Sequence, residues 1–196
     1  MTAVSARTRV DAVRNRERVV AAAAEVFREK GDAAVVPEIA ARAGVGKGTV
    51  YRCFPTKDHL VAAVATQRVR WFEAEAREAA ARDDPWGAFL RFMERIADAH
   101  CEDRGMVTSM SQAIELDELL EARADAHDAL RELMDRAIAQ GSMRADAQPA
   151  DLKVLLSGIA RSLAAEQERD PAVWRHYARL VADALRAQEP YAAEPS

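Results

Sequence analysis

The segment Glu38-Ile39-Ala40-Ala41-Arg42-Ala43-Gly44-Val45-Gly46-Lys47-Gly48-Thr49-Val50-Tyr51-Arg52-Cys53-Phe54 constrains this chain more than any other. Two helices that cross steeply need a small residue where their axes come closest. They also need a residue tolerant of positive φ to end the first helix, and apolar plugs on the second. Ala40, Gly44 and Val50 meet these needs in that order. Ile39, Ala43 and Val45 add apolar contacts at helical spacing, and Cys53 falls on the inward side three residues after Val50. The spacing predicts a helix-turn-helix, the geometry that places a second helix in the major groove of duplex DNA.

The outward set of that second helix is Gly46, Lys47, Gly48, Thr49, Tyr51 and Arg52. Lys47 and Arg52 can pair with phosphates or guanine edges, the Thr49 hydroxyl can reach either, and Tyr51 offers a phenol to a phosphate. Gly46 and Gly48 let the helix start approach the DNA backbone, where free N–H groups and the positive dipole end favour an anion. Thr56 reads as the N-cap of the next helix, with Lys57 in its first turn and able to contact the same strand. An ordinary helical hairpin with a wet polar face would carry the same plugs. The basic and aromatic outward residues are what favour DNA.

Residues 14–64 resemble the amino-terminal pattern of the tetracycline-repressor (TetR) family, including the run Gly-Thr-Val-Tyr-Arg-Cys-Phe-Pro-Thr-Lys-Asp-His-Leu at 48–60. The resemblance implies an all-α homodimer: a three-helix DNA-binding head, a long linking helix, and a helical ligand-binding and dimerisation body. It also implies a repressor released from operator DNA by a small molecule. By this resemblance Lys47, Thr49, Tyr51 and Arg52 match operator-contacting positions, and Lys57 matches a phosphate-binding lysine. One position departs from the pattern. Where the family commonly has Thr or Ser four residues before the isoleucine of the second helix, this chain has Val35, with Pro37 pre-setting φ near the helix start.

The composition agrees with an all-α chain. Of 196 residues, 49% are apolar, glycine and proline are few, and no long stretch alternates as a strand would. The net charge of −4 is unevenly spread: residues 1–60 hold 11 Lys+Arg against 7 Asp+Glu, whereas residues 61–196 hold 17 against 25. A basic head on an acidic body lets the head meet phosphates while the body is repelled by them. Cys53 and Cys101 cannot make a framework of bridges, and no apolar run has the length of a membrane span or the position of a signal peptide, so a cytoplasmic setting is expected. His100 beside Cys101 is the only close soft-ligand pair, and adjacent helical residues diverge by about 100°, so no metal site is expected. No nucleophile or acid–base constellation marks an enzyme, and no cofactor motif is present.

Along the chain we expect a loose arm over 1–13, a head over 14–60, a body over 61–188 and a disordered tail over 189–196. Val20, Ala23, Ala24 and Phe27 mark one face of the first helix. A helix without glycine or proline is predicted from 56 to 82, broken by Asp83-Asp84-Pro85. Body helices are predicted at 86–100, 117–140, 149–169 and 171–188, with a short piece at 106–110.

Flexible methionine beside aromatics can line an adaptable apolar cavity, although a packed core gives the same pattern. The candidate ligand-binding residues are Trp86, Phe89, Met93, Met106, Met110, His127 and Met134. His127 stands seven residues from both Leu120 and Met134, which predicts a shared inward side. Leu152, Leu155, Leu156, Ile159 and Leu163 stripe one face of the penultimate helix, beside Val154, Gly158, Arg161 and Ala165. Val173, Trp174, Tyr177, Leu180, Val181, Ala184 and Leu185 stripe the last. Either both stripes are internal, or the last two helices pair across a two-fold axis and present two heads to a pseudo-palindrome.

Overall fold

The computed structural model of the chain describes residues 3–106 and 113–187, with side chains from residue 11 onward at the amino end. Among the described residues the regular structure is helical: α1 (Ala3–Lys30), α2 (Val36–Ala43), α3 (Lys47–Cys53), α4 (Lys57–Ala80), α5 (Pro85–Glu102), α6 (Asp117–Ala139), α7 (Pro149–Ala165) and α8 (Pro171–Ala184). Short 3-10 turns lie at Gly31–Ala33 and Arg104–Met106. An isolated bridge joins Met143 to Arg186. The arm expected over 1–13 is helix from Ala3 onward. This stretch has no glycine or proline to stop a helix running back from the apolar core. The expected tail lies outside the described residues.

The chain divides into two compact units, Met1–Arg68 with Asp103–Glu121, and Val69–Glu102 with Ala122–Ser196. One division thus falls inside α4. The other falls at the end of α5, with Asp103 in the first unit.

In the first unit, Val19, Val26, Phe27, Ile39, Val50, Phe54 and Leu60 form one buried cluster. Each large side chain taken wholly from water contributes about 1.5–3 kcal/mol of transfer free energy. Met106 belongs to this cluster at 3% exposure, so it plugs the head and does not line a cavity of the body. The cause is local: a Cβ on Gly105 would lie 2.6 Å from the Arg28 carbonyl, so only glycine lets this turn approach α1 closely enough to seat Met106. Asp103, buried, pairs with Arg28 (3.0 Å) and Arg68 (2.8 Å) and fastens the same turn.

In the second unit, α5 packs extensively along α8. Arg175 forks onto Asp98 (2.6 and 2.9 Å) and Arg179 sends two donors to Glu94 (2.9 and 2.6 Å). Helix ends follow their sequence signals. The Asp84 carboxylate accepts the Gly87 N–H at the start of α5, and Asp170 accepts the Ala172 N–H at the start of α8. Gln148 and Asp151 form a reciprocal capping box on α7.

Phe89, Met93 and Met134 are fully buried, and Trp86 is half-buried with the Arg186 guanidinium 5.5 Å from its ring centre. Met110 lies outside the described residues. His127 corrects the sequence reading: it is exposed and hydrogen-bonded to Arg131 one turn on (3.1 Å). A seven-residue step falls about 20° short of two helical turns, so the ladder Leu120, His127, Met134 drifts across the helix. The buried register of α6 instead runs Leu119, Ala122, Ala126, Leu130, Leu133, Ala137, while Leu120 is 44% exposed.

Candidate nucleic-acid interface

The turn between α2 and α3 is built from its carbonyls. Gly44 sits at φ +63°, and its N–H bonds the Ala41 carbonyl (3.1 Å) while the Val45 N–H reaches the Ala40 carbonyl (3.0 Å). This paired closure ends α2 and demands the left-handed conformation that glycine adopts without steric cost. The Ala43 carbonyl is satisfied from elsewhere: Arg18, on α1, donates to it from Nη2 at 2.6 Å. Val50 (1% exposed) and Ile39 (0%) then plug the hairpin onto α1.

Val35 is the N-cap of α2, extended at φ −123°, ψ 144°, with no side-chain cap and 47% exposed. Glu38 in the first turn complements the helix dipole and accepts from Lys30 Nζ (2.6 Å). On the outer face Arg42 bonds Glu29 through both terminal nitrogens (3.0 and 2.9 Å) and Glu25 at 3.0 Å. The hydrogen bond from Arg42, helped by its charge, holds the Glu29 carboxyl below its ordinary value. This network braces α2 against α1 from outside, as the apolar plugs do from within.

α3 presents Lys47, Gly48, Tyr51 and Arg52 as exposed residues, with Thr49 half-buried and Tyr51 51% exposed. Arg52 lies along its own helix, Nε donating to the Gly48 carbonyl (3.2 Å) and Nη2 to Thr49 Oγ1 (3.1 Å). Neither Gly46 nor Gly48 has a positive φ, and a Cβ on either would meet nothing within 4 Å. The protein's own packing therefore makes no use of these two glycines.

Thr56 caps α4 as its sequence position predicts: its Oγ1 accepts the His59 N–H (3.3 Å) and lies 2.8 Å from His59 Nδ1. Lys57 is placed differently from a free phosphate ligand. Its Nζ donates to the Asp32 carbonyl (2.7 Å) and sits 5.9 Å from the centre of the Phe27 ring. An ammonium has three donors, so this contact leaves others for a phosphate beside the same turn. The residues that sequence reasoning missed are those that hold the hairpin from α1, Arg18 above all. An arginine just before an apolar stripe carries no local signal of its partner.

A short helix with a basic and aromatic outer face, braced by two others around one apolar core, defines a helix-turn-helix DNA-binding protein. Two family models match the chain: "Bacterial regulatory proteins, tetR family" over residues 19–64, and "Transcriptional regulator SbtR-like, C-terminal domain" over residues 84–187. Among solved structures, a TetR transcriptional regulator from Streptomyces coelicolor is 32% identical over 89% of this chain and 99% of its own, with a TM-score of 0.66. A TetR transcription regulatory protein from Mycobacterium vanbaalenii is 35% identical over 91% and 99%, with a TM-score of 0.63. SmeT, the repressor of a multidrug efflux pump of Stenotrophomonas maltophilia, shares the fold at 22% identity, covering 92% and 96%, with a TM-score of 0.62. No curated protein matches the chain. The chain belongs to the TetR family of DNA-binding transcriptional regulators. Among the described residues, no helix is long and apolar enough to cross a membrane.

Proposed function

We propose that this protein is a cytoplasmic, homodimeric repressor that leaves its operator when a small molecule binds the body. Lys47, Gly48, Thr49, Tyr51 and Arg52 form the face that enters the major groove, and Lys57 meets a flanking phosphate. The observation that carries this reading is the exposure of Lys47, Gly48, Tyr51 and Arg52 on a helix whose opposite face, through Val50, is locked into the head core. Gly46 and Gly48, unused by the protein's own packing, suit close approach of the helix start to a phosphate.

The pairing surface is the last two helices. Val154 is 70% exposed, Leu180 49%, Leu155 40% and Tyr177 39%, and Gly158, Arg161 and Ala165 are exposed beside them. Apolar side chains left open on two neighbouring helices suit a four-helix bundle with a second copy. Two joined heads gain affinity on a two-fold site that one short helix lacks. In the body, Trp86, Phe89, Met93 and Met134 supply the adaptable apolar lining for an effector. The effector shifts the dimer away from its DNA-binding form by no more than its difference in affinity for the two forms.

Band-shift titration against the DNA flanking its own coding region tests the reading, with Arg52→Ala and Tyr51→Ala as controls. Retention of that DNA by the wild type and its loss in both variants support it, and equal binding by all three defeats it.

A further inference from the structure

We propose that Arg18 is a positioning residue for DNA reading: without touching DNA, it sets the angle at which α3 leaves the hairpin. The inference rests on the DNA-binding reading of α3 and adds a residue to its machinery.

Three observations converge on it. Its Nη2 donates to the Ala43 carbonyl at 2.6 Å, across 25 residues of chain. This is a charge-assisted bond to the last carbonyl of α2, at the negative end of that helix. The turn's own closure satisfies Ala40 and Ala41 and gives nothing to Ala43. Gly44 lies beside the same guanidinium: a Cβ there would stand 2.9 Å from Arg18 Nη2, so the end of that side chain would have to shift. Glycine itself is required at position 44 by its φ of +63°. Finally, Arg18 directly precedes Val19, which is fully buried in the head core, so the base of its side chain is anchored. The turn is therefore gripped from α1 at the point where the direction of α3 is set. Releasing the grip leaves the apolar plugs in place but frees the turn to rotate. A recognition helix misaligned by a small angle still meets phosphates, while its contacts to base edges, which need fixed geometry, are lost.

The experiment uses the full-length protein and the duplex that the wild type enriches from a randomised pool, with a random-sequence duplex as comparison. Arg18→Met keeps the apolar stem and removes the donor; Arg18→Lys keeps a charged donor. Affinity is measured over a range of salt, and folding is followed by circular dichroism. Arg18→Met is expected to weaken binding to the enriched duplex by about tenfold, to change random-duplex affinity by less than about twofold, and to leave the salt dependence as it was. Arg18→Lys is expected to recover most of the loss.

Equal losses on both duplexes with a shallower salt dependence would make Arg18 a phosphate ligand and overturn the proposal. Unchanged binding by Arg18→Met would overturn it too, as would an Arg18→Met chain unfolded at the assay temperature, which would make the role one of stability. If the wild type enriches no duplex, it is the DNA-binding reading that fails.

Discussion

Arg52 Nη2 donates to Thr49 Oγ1 at 3.1 Å, one helical turn back along α3. With its Nε on the Gly48 carbonyl, the guanidinium is ordered before any DNA arrives. An ordered fork loses less freedom on pairing with a base edge or phosphate than a loose one. Arg52→Ala should cost about 1–3 kcal/mol of operator binding if Arg52 reads a base. Thr49→Val, which removes the brace as well as the hydroxyl, should cost less. Fluorescence anisotropy reads both losses. Thermal denaturation should show little change, because Arg52 is exposed.

Val35 leaves the start of α2 without a side-chain cap. Its extended backbone already suits an N-cap, and Pro37 at the second helical position has no N–H to satisfy. Val35→Thr supplies an oxygen for the Glu38 N–H and completes the Thr-x-x-Glu pattern of a capping box. We expect the head to gain about 1 kcal/mol, read as a higher urea midpoint at unchanged slope. A lower midpoint would show that the exposed valine packs better than the hydroxyl caps.

The pairing of Arg42 with Glu29 makes stability depend on acid. The hydrogen bond from Arg42 and its charge depress the Glu29 carboxyl in the folded chain. A group depressed on folding contributes stability above its unfolded value and loses it as the pH falls through its folded value. The head should therefore weaken as the pH falls below the ordinary range of a glutamate carboxyl. Arg42→Gln should flatten that part of the profile, and so should high salt, since the pair is at the surface. Urea midpoints at neutral and acid pH measure the difference. An identical acid loss in the variant would assign the effect to other carboxylates.

The open apolar faces of α7 and α8 predict their own test. Leu180→Glu together with Val154→Glu places charges where a second copy would bury them. Light scattering after size exclusion should give twice 21.5 kDa for the wild type and one such mass for the variant. A dimeric variant would move the interface elsewhere on the body.

Much of this architecture is legible in the residues because it is local. Gly44 ends α2, Thr56 caps α4, Asp84 and Pro85 open α5, and Gly141 follows α6, each signalled within a few positions of the event. The outward face of α3 follows likewise from the spacing of Val50 and Cys53. What could not be read depends on partners far along the chain. Arg18 meets Ala43 across the hairpin, Lys57 turns onto the Asp32 carbonyl, and Asp103 binds Arg28 and Arg68. Met106 fell to the head because Gly105 lets backbones approach, a contact no periodicity reports. His127 was misplaced by a sevenfold ladder in a helix whose true register is 3.6.

On the proposed function, the exposed face of α3, held in duplicate by a dimer, reads a two-fold DNA sequence. Selection from a randomised duplex pool by the purified wild type tests it most directly. The wild type should enrich one pseudo-palindrome, its half-sites separated by about one or more turns of duplex, and Arg52→Ala together with Tyr51→Ala should enrich none. A wild-type pool that stays random, or the same motif enriched by the double variant, would contradict it.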